Sequence, residues 1–581
     1  MAATPEEQAV MEAARIEHAW SLVERFATMR RQDPDEAAAA GEEIAARLAA
    51  LGLPVTVHRP RLYLAVPKTA HVALGDGRRF AARPAQLAAT APDGLTAPLV
   101  FVENPVTPPP GWSPASAPLF GPGYDPAPGV PDVRGRIVLF RGMILAERIL
   151  AFAALGAAGV IAVNPGPDMH WGSGSAIWGT PDLDDLPGRT PIPGCAVSRP
   201  DGEALIAAAT RGESATLTTE VEEGWFDQVL PEVRIPGASE PERFVLLHGH
   251  YDSWDVGVGD NATGDACMLE VARVLWQHRA SLRRGVRVCW WPGHSTGKFA
   301  GSTWYADAFA RDLHRGAVAH LNCDSPGCRD ATDYPGIPWM PENQAFVTEV
   351  VRDATGRPAG GKRPTQSSDY SFNNLGISGC FSASSRIPAA EVERRGWYFV
   401  MGNGGNTAWH TDRDKLDVAD PEVLLRDIRL YALAVFRMAS RPVIPLDPGA
   451  LVAHFAAQVE RYQAAAGDRF DLSPARAAFA SLAARLAALD AALAEGRVTA
   501  EVANAARLAA LRHLVPLDYT RGTRFRRDFG LPAAPLTHLA VAAELDRYPE
   551  QALGFATTTL RRGLNHVLAA VEAAEAALPT A

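Results

Sequence analysis

The stretch FVLLHGHYDSWDVGVGDNATG, residues 244–264, joins an unbroken apolar run to a cluster of polar side chains. The run does not alternate with polar residues, which is typical of a central strand covered on both faces of an α/β sheet. His250, Asp252 and Asp260 follow it, and the loop glycines allow the chain to bend back toward the strand end. Because α/β proteins place their chemistry at the carboxyl ends of such strands, we predict a functional site here.

Two further apolar runs end in the same way. VRVCWW leads into PGHSTG, which contains His294 and Ser295, and GAVAHLNCD ends on Asp324. An unpaired carboxylate at the end of a buried strand is costly, so metal ligation or a salt bridge is expected at Asp324. A later loop, NTAWHTDRDKLD, supplies His410. Imidazoles and carboxylates together are suitable ligands for zinc.

Composition excludes several classes of function. The formal net charge of −10 disfavours nucleic acid as a partner, because phosphate binding needs a basic surface. The first ten residues lack the basic and apolar regions of a signal peptide, and we expect no apolar stretch long enough to span a bilayer. The 6 cysteines are scattered and form no disulfide framework or zinc knuckle. We therefore expect a cytoplasmic protein with no nucleic-acid or membrane partner.

Taken together, the polar clusters resemble the motifs of the co-catalytic zinc aminopeptidase and glutamate carboxypeptidase family of metallopeptidases. That family shows H-x-D, G-x-x-D-N-x-x-G, W-x-x-E-E-x-G with G-S, N-x-D and H-T-x-x-D. This chain has HYD, GVGDNATG, WPGHSTG with GS, NCD and HTDRD, in the same order over roughly residues 225–440. The resemblance implies an α/β fold, with a mixed sheet flanked by helices, and a divalent metal, with zinc the first choice. Histidine and aspartate sets suit several metals, so the metal's identity stays open.

The same resemblance predicts the domain organisation. Residues 1–65 form the N-terminal part of the catalytic domain, and 226–442 form its main part. Residues 66–225, with VRGRIVLFRG and AALGAAGVIAVN, are similar to the inserted protease-associated domain of many relatives. The proline-rich stretch at 103–118 is predicted to be a boundary or surface loop. Residues 443–581 are rich in alanine and leucine with helical periodicity, and their position is similar to that of the dimerising domain of the transferrin receptor branch, so we expect a homodimer.

Family roles transfer by position. His250 and Asp324 would hold one metal, Asp260 would bridge two, and His410 would hold the second. Asp252 would orient His250, as a carboxylate near a ligand histidine often does.

The paired glutamates of the family are absent. One of them is the general base and the other a ligand to the second metal; their positions here read His294 and Ser295. A histidine can accept a proton near neutral pH, whereas Ser295 is a poor zinc ligand that could instead hydrogen-bond to substrate. Two roles stay open for His294, a place in the metal shell or that of general base. Because two carboxylates are lost, we expect one tightly bound metal, with a second that is weak or absent.

These residues predict a metal-dependent hydrolase of an amide or related C–N bond in a small or peptide-like substrate. Trp409 and Arg386, with Ser295, are candidate substrate contacts. Two alternatives stand beside this prediction: a non-catalytic binding or scaffold protein with a vestigial metal site, as in the transferrin receptor branch, and a metalloenzyme turned to a different reaction.

Overall fold

A computed structural model describes residues 3–103, 130–365, 367–531 and 533–579. Apart from Glu103, the proline-rich stretch at 103–118 lies outside these ranges. The helices are α1 Pro5–Ala13, α2 Glu17–Phe26, α3 Pro34–Ala50, α4 Ala146–Ala154, α5 Arg199–Thr210, α6 Thr263–Gln277, α7 Ala300–Ala308, α8 Ala310–Gly316, α9 Gln344–Thr355, α10 Ala389–Arg394, α11 Pro421–Ser440, α12 Pro448–Ala466, α13 Ser473–Ala494, α14 Ala500–Tyr519 and α15 Glu550–Ala576. The strands are β1 Val55–His58, β2 Arg61–Leu74, β3 Arg79–Pro84, β4 Ala91–Val102, β5 Ile137–Arg141, β6 Gly159–Val163, β7 Gly194–Val197, β8 Ser214–Asp227, β9 Leu230–Ile235, β10 Glu240–His250, β11 Arg284–Trp291, β12 Ala317–Asn322, β13 Tyr334–Pro338, β14 Ala359–Lys362 and β15 Ser378–Cys380.

The central feature is a 6-stranded mixed sheet in the order β1-β9-β11-β10-β12-β15. The strands β11, β10, β12 and β15 run parallel, whereas β9 and β1 are antiparallel to their neighbours. The apolar run of β10 is fully buried from Phe244 to His250, as expected for a strand covered on both faces. The predicted α/β class, a mixed sheet flanked by helices, is confirmed.

The N-terminal helices belong to the same body as the sheet. Their buried side chains join one hydrophobic core with the helices over the sheet and with the C-terminal helices. Arg31, in the loop after α2, is fully buried and donates hydrogen bonds to the carbonyl oxygens of Tyr251 and Gly257. The N-terminal segment therefore holds the loop that follows β10.

A closed barrel with the strand order β2-β3-β7-β6-β5-β4-β8 is inserted between β1 and β9. It runs from Arg61 to Asp227 and packs α4 and α5 against its sheet around separate apolar clusters. The long strands β2 and β8 pair along almost their whole length, so both chain connections leave the barrel at one place. This arrangement places loops of the barrel next to the carboxyl edge of the central sheet.

The C-terminal region is helical, as predicted. One of its helices, Ser473–Ala494, is long and apolar enough by length and composition to cross a membrane, contrary to our expectation that no stretch would be. The expectation failed because of the many alanines in this helix. Alanine counts as apolar on a hydropathy scale, but it is also a strong helix former at exposed positions. In this helix, leucine and phenylalanine side chains pack inward, whereas most of the exposed positions carry alanine.

Candidate active site

Three neighbouring parallel strands deliver the site residues to one edge of the sheet. His250 is the last residue of β10, His294 lies three residues beyond β11, and Asp324 lies two residues beyond β12. In the register of β10 and β11, His250 lies opposite Trp291. The carboxyl ends of parallel strands are the usual position for chemistry in α/β sheets.

Asp260 lies between two histidines. Its Oδ1 is 3.0 Å from His250 Nε2 and its Oδ2 is 3.1 Å from His410 Nε2. Asp324 Oδ2 is 3.8 Å from the same nitrogen of His250. The four residues assigned as metal ligands by resemblance are thus brought together, with Asp260 in the middle.

His294 joins this group from the other side. One ligand atom each of His250, His294 and Asp324 all lie within 4.8 Å of one another. The imidazole of His294 stacks on that of His250, with ring centroids 3.7 Å apart and planes 13° from parallel. His294 therefore lies against the candidate metal ligands and not in the core.

The orientation of His294 is set by Asp369, a residue to which the sequence analysis assigned no role, although it lies in a stretch, SSDYSFNNLGIS, that resembles a family motif. The Nδ1 of His294 lies 2.8 Å from Oδ2 of Asp369, which is fully buried. Ser302 donates to the other oxygen of that carboxylate. Burial alone would raise the pKa of Asp369, but the charge and hydrogen bond of His294 hold it below its ordinary value. With Nδ1 engaged, the free nitrogen of His294 is Nε2.

Asp252 has a different role from the one we expected. His250 Nδ1 bonds to the backbone carbonyl oxygen of Asp252, at 2.8 Å, and not to its carboxylate. The carboxylate instead accepts the backbone N–H groups of His294 and Ser295, at 2.9 and 2.8 Å. The reason is positional: the loop after β11 turns its amides toward Asp252. Asp252 therefore orients His250 through its carbonyl oxygen, and its carboxylate holds the backbone that carries His294.

Asp414 holds the backbone of the loop that carries Asp260. Its carboxylate accepts the N–H groups of Gly259 and Asp260, at 2.7 and 3.0 Å. Burial raises the pKa of Asp414 to about 7. Asn261 fixes the same loop to the ends of two strands, because its amide donates to the carbonyl oxygens of His250 and Cys323.

His410 is oriented by the barrel. Its Nδ1 lies 3.0 Å from the carbonyl oxygen of Trp171, and the backbone N–H of Trp171 donates to the carbonyl oxygen of His410. Trp171 also stacks parallel to Trp254, with ring centroids 6.1 Å apart. The inserted barrel thus contributes directly to the geometry of a site residue.

A cavity of about 200 Å³ opens over this cluster between the barrel and the sheet edge. Its volume suits a small ligand or one segment of a larger one. Besides the site residues, it is lined by aromatic side chains, methionines and charged groups. These are Trp171, Trp254, Phe299, Trp409, Met143, Met401, Glu147 and Lys298.

The three candidate substrate contacts take different places. Ser295 and Trp409 line the cavity, and Trp409 stacks on His410 with ring centroids 3.6 Å apart. Arg386 is not among the lining residues. Its guanidinium donates to the carbonyl oxygens of Val400 and Met401 instead.

The donor atoms fit a divalent metal. His250 Nε2 and Asp260 Oδ1 are buried and lack a hydrogen-bond partner, although they lie 3.0 Å apart, because their geometry is not that of a hydrogen bond. Buried polar atoms are rarely left unpaired in this way. A cation between these atoms would satisfy both, and a set of imidazole and carboxylate donors suits zinc.

The fold is that of the zinc aminopeptidases with an inserted barrel domain, and the donor set suits a divalent metal. The model for peptidase family M28 matches residues 232–435, so this part of the chain is an M28 peptidase domain. The PA domain model matches residues 95–205, within the inserted barrel.

Curated relatives match only parts of the chain. The probable glutamate carboxypeptidase VP8 of Zea mays is 28% identical over 224 residues, which are 37% of this chain and 31% of the relative. The aminopeptidase NAALADL1 of Mus musculus is 34% identical over 106 residues, 17% of this chain and 14% of the relative. The matches thus span about a third or less of the length of these relatives.

Solved structures match more of the chain. The aminopeptidase from Aneurinibacillus sp. strain AM-1 has a TM-score of 0.53 at 19% identity, covering 75% of this chain and 96% of its own. BSAP, a zinc aminopeptidase from Bacillus subtilis, has a TM-score of 0.52 at 21% identity, covering 74% and 96%. At these identities the likeness establishes the fold.

Proposed function

We propose that this protein is a metal-dependent hydrolase of an amide bond in a small or peptide-like substrate, with a histidine in place of the glutamate base. The observation that carries the proposal is the placement of His294. It stacks on His250, and its Nδ1 bonds to the buried carboxylate of Asp369, so that Nε2 is free on the same imidazole.

A single metal site would be held by His250, Asp260 and Asp324, which leaves a position open as in catalytic zinc sites. Zinc, when bound, supplies polarisation of the substrate carbonyl and lowers the pKa of a water. His294 Nε2 accepts the proton of the attacking water, and Asp369 stabilises the imidazolium that forms. An aspartate in this position holds the ring in the required tautomer and does not itself take the proton.

The second metal position would be weak. Asp260 Oδ2 and His410 Nε2 lie 3.1 Å apart and could contribute two donors. The third donor of the family is replaced by Ser295, whose backbone N–H donates to Asp252. Only two donors would remain for the second cation, and one of them, Asp260, is shared with the first metal site. Such a pair holds a cation poorly, so we propose one tightly bound zinc per chain.

The experiment is a zinc titration of the wild type and of Ser295→Glu, with zinc per chain measured after dialysis. We expect about one zinc in the wild type and a second in Ser295→Glu, because the variant restores a carboxylate where the family has one. Ser295→Gln is the matched control and should stay at one. Two tightly held ions in the wild type would contradict the proposal, as would none in either protein.

A further inference from the structure

The inserted barrel sends one side chain into the hydrogen-bond network behind His294. Trp178 lies between β6 and β7 of the barrel, and its indole N–H donates to Oγ of Ser371 at 2.9 Å. Oγ of Ser371 lies 2.8 Å from Oγ of Ser302, which donates to Oδ1 of Asp369 at 2.7 Å. The other oxygen of this carboxylate is bonded to His294. A continuous chain of hydrogen bonds therefore joins the barrel to the imidazole.

The chemistry of its members gives this chain one direction. The indole N–H of Trp178 can only donate, so Ser371 accepts there and has its own hydroxyl hydrogen available for Ser302. Ser302 in turn donates to Asp369, and an ionised carboxylate can only accept. The carboxylate oxygen beside His294 then accepts the hydrogen of Nδ1, which leaves the lone pair on Nε2.

The direction depends on Trp178 because the hydroxyl of Ser302 has other acceptors within reach. Without the indole N–H, Oγ of Ser371 would be a vacant acceptor, and Ser302 could donate to it instead of to Asp369. The carbonyl oxygen of Phe299 is a further acceptor, at 3.2 Å from Oγ of Ser302. Because each donor in such a chain strengthens the next bond, loss of the first donor weakens the hold on the carboxylate.

Packing keeps Trp178 in this position. Its indole is buried, and its ring centroid lies 5.3 Å from that of Phe299, which in turn lies 4.8 Å from that of His294. The next residue, Gly179, donates its backbone N–H to the carbonyl oxygen of Lys298. Trp178 is not among the residues that line the cavity over the site. It therefore approaches His294 from behind, away from the substrate.

From these contacts we propose that Trp178 is a positioning residue for the base. Its N–H sets the direction of the hydroxyl chain, and through Asp369 it holds His294 with the lone pair on Nε2. The barrel then supports the base from behind, in addition to its contact with His410. This inference rests on the proposed function for its catalytic effect, but the tautomer of His294 is measured without hydrolysis.

Trp178→Phe removes the N–H and keeps an aromatic ring beside Phe299. With a dipeptide that the wild type cleaves, we expect kcat to fall about three- to tenfold, the range for one hydrogen bond. KM and zinc content should stay unchanged, because Trp178 lines neither the cavity nor the metal position. Trp225→Phe, at a half-exposed tryptophan on β8, is the matched control and should behave as the wild type.

The same substitution in a second background separates positioning from a general loss of packing. In Ser371→Ala the chain is already broken, so adding Trp178→Phe should lower kcat by less than about twofold more. Equal losses of kcat in the wild-type and Ser371→Ala backgrounds would overturn the inference. An unchanged kcat in Trp178→Phe would overturn it as well.

The tautomer of His294 is read from the NMR chemical shifts of its ring nitrogens in zinc-loaded protein at one fixed pH, with His294→Ala to assign the signals. We expect the Nδ1–H form in the wild type and in Trp225→Phe, and a substantial share of the Nε2–H form in Trp178→Phe. The same tautomer in wild type and Trp178→Phe overturns the inference. A changed tautomer in a protein whose wild type cleaves no peptide would instead contradict the proposed function alone.

Discussion

The Nδ1 atom of His294 lies 2.8 Å from Oδ2 of Asp369, at the position where the family motif leads one to expect a glutamate. A neutral imidazole that donates through Nδ1 presents the lone pair of Nε2. Because His294 stacks on His250, its imidazole lies beside the candidate metal ligands. In the proposed function, His294 takes the place of the glutamate base, and the carboxylate of Asp369 lies one hydrogen bond further away.

Asp369→Asn should lower kcat for any dipeptide that the wild type cleaves by about 10- to 100-fold, as for other carboxylates that orient a site histidine. The amide can offer an N–H to Nδ1 and so favour the wrong tautomer of His294. The bound zinc should stay, because Asp369 is not among its proposed ligands. The measurement is kcat together with zinc content, with Asp76→Asn on the barrel surface as the control. An unchanged kcat in Asp369→Asn would contradict the role of Asp369.

Asp252→Asn tests the corrected role of that residue. Its carboxylate holds the backbone amides of His294 and Ser295, whereas His250 is oriented by the Asp252 carbonyl oxygen, which the substitution preserves. We expect kcat to fall by about tenfold, since a misplaced base loses alignment with its substrate. Zinc affinity should change by less than about threefold. A large loss of zinc without loss of kcat in the loaded enzyme would show that the carboxylate of Asp252 also serves His250.

Arg31→Met should destabilise the protein. The buried guanidinium bonds to the carbonyl oxygens of Phe26, Tyr251 and Gly257, and its removal leaves these acceptors unpaired. The expected loss is on the order of 3 kcal/mol in the free energy of unfolding. Urea denaturation measures it, with the exposed neighbour Arg30→Met as control. Equal unfolding midpoints for the two variants would show that the hydrogen bonds of Arg31 contribute little to stability.

Glu342→Gln should make stability less dependent on pH. Burial raises the pKa of Glu342 to about 7, although Ser378 donates a hydrogen bond to its carboxyl group. Between the ordinary pKa of glutamate and about 7, the folded state keeps a proton that the unfolded state has released, so stability falls as pH rises through this window. The variant should gain up to about 3 kcal/mol over wild type at pH 8 and little at pH 4. Parallel pH profiles of the unfolding free energy would contradict this.

The sequence predicted the fold and the ligand cluster because both depend on local patterns. Apolar runs ending in polar residues marked β10, β11 and β12, and the order of the motifs grouped His250, Asp260 and Asp324. The role of Asp369 could not be found in this way. It arises from two loops that meet only in the folded chain, and an aspartate in a loop is usually solvated.

The role of the barrel could not be predicted for the same reason. The contact between Trp171 and His410 joins residues 239 positions apart. The homodimer and the cytoplasmic location stay predictions. The exposed alanine positions of α13 would suit close packing against a second copy, and light scattering at micromolar concentration would measure the mass.

The most direct test of the account is zinc content and turnover of His294→Ala beside the wild type, with a dipeptide that the wild type cleaves. The account predicts that the variant retains its single tightly bound zinc while kcat falls by a factor of about 100 or more, as for loss of a general base. Full turnover in the zinc-loaded variant would contradict the catalytic role of His294. Loss of the zinc together with turnover would show that His294 is a metal ligand and not the base.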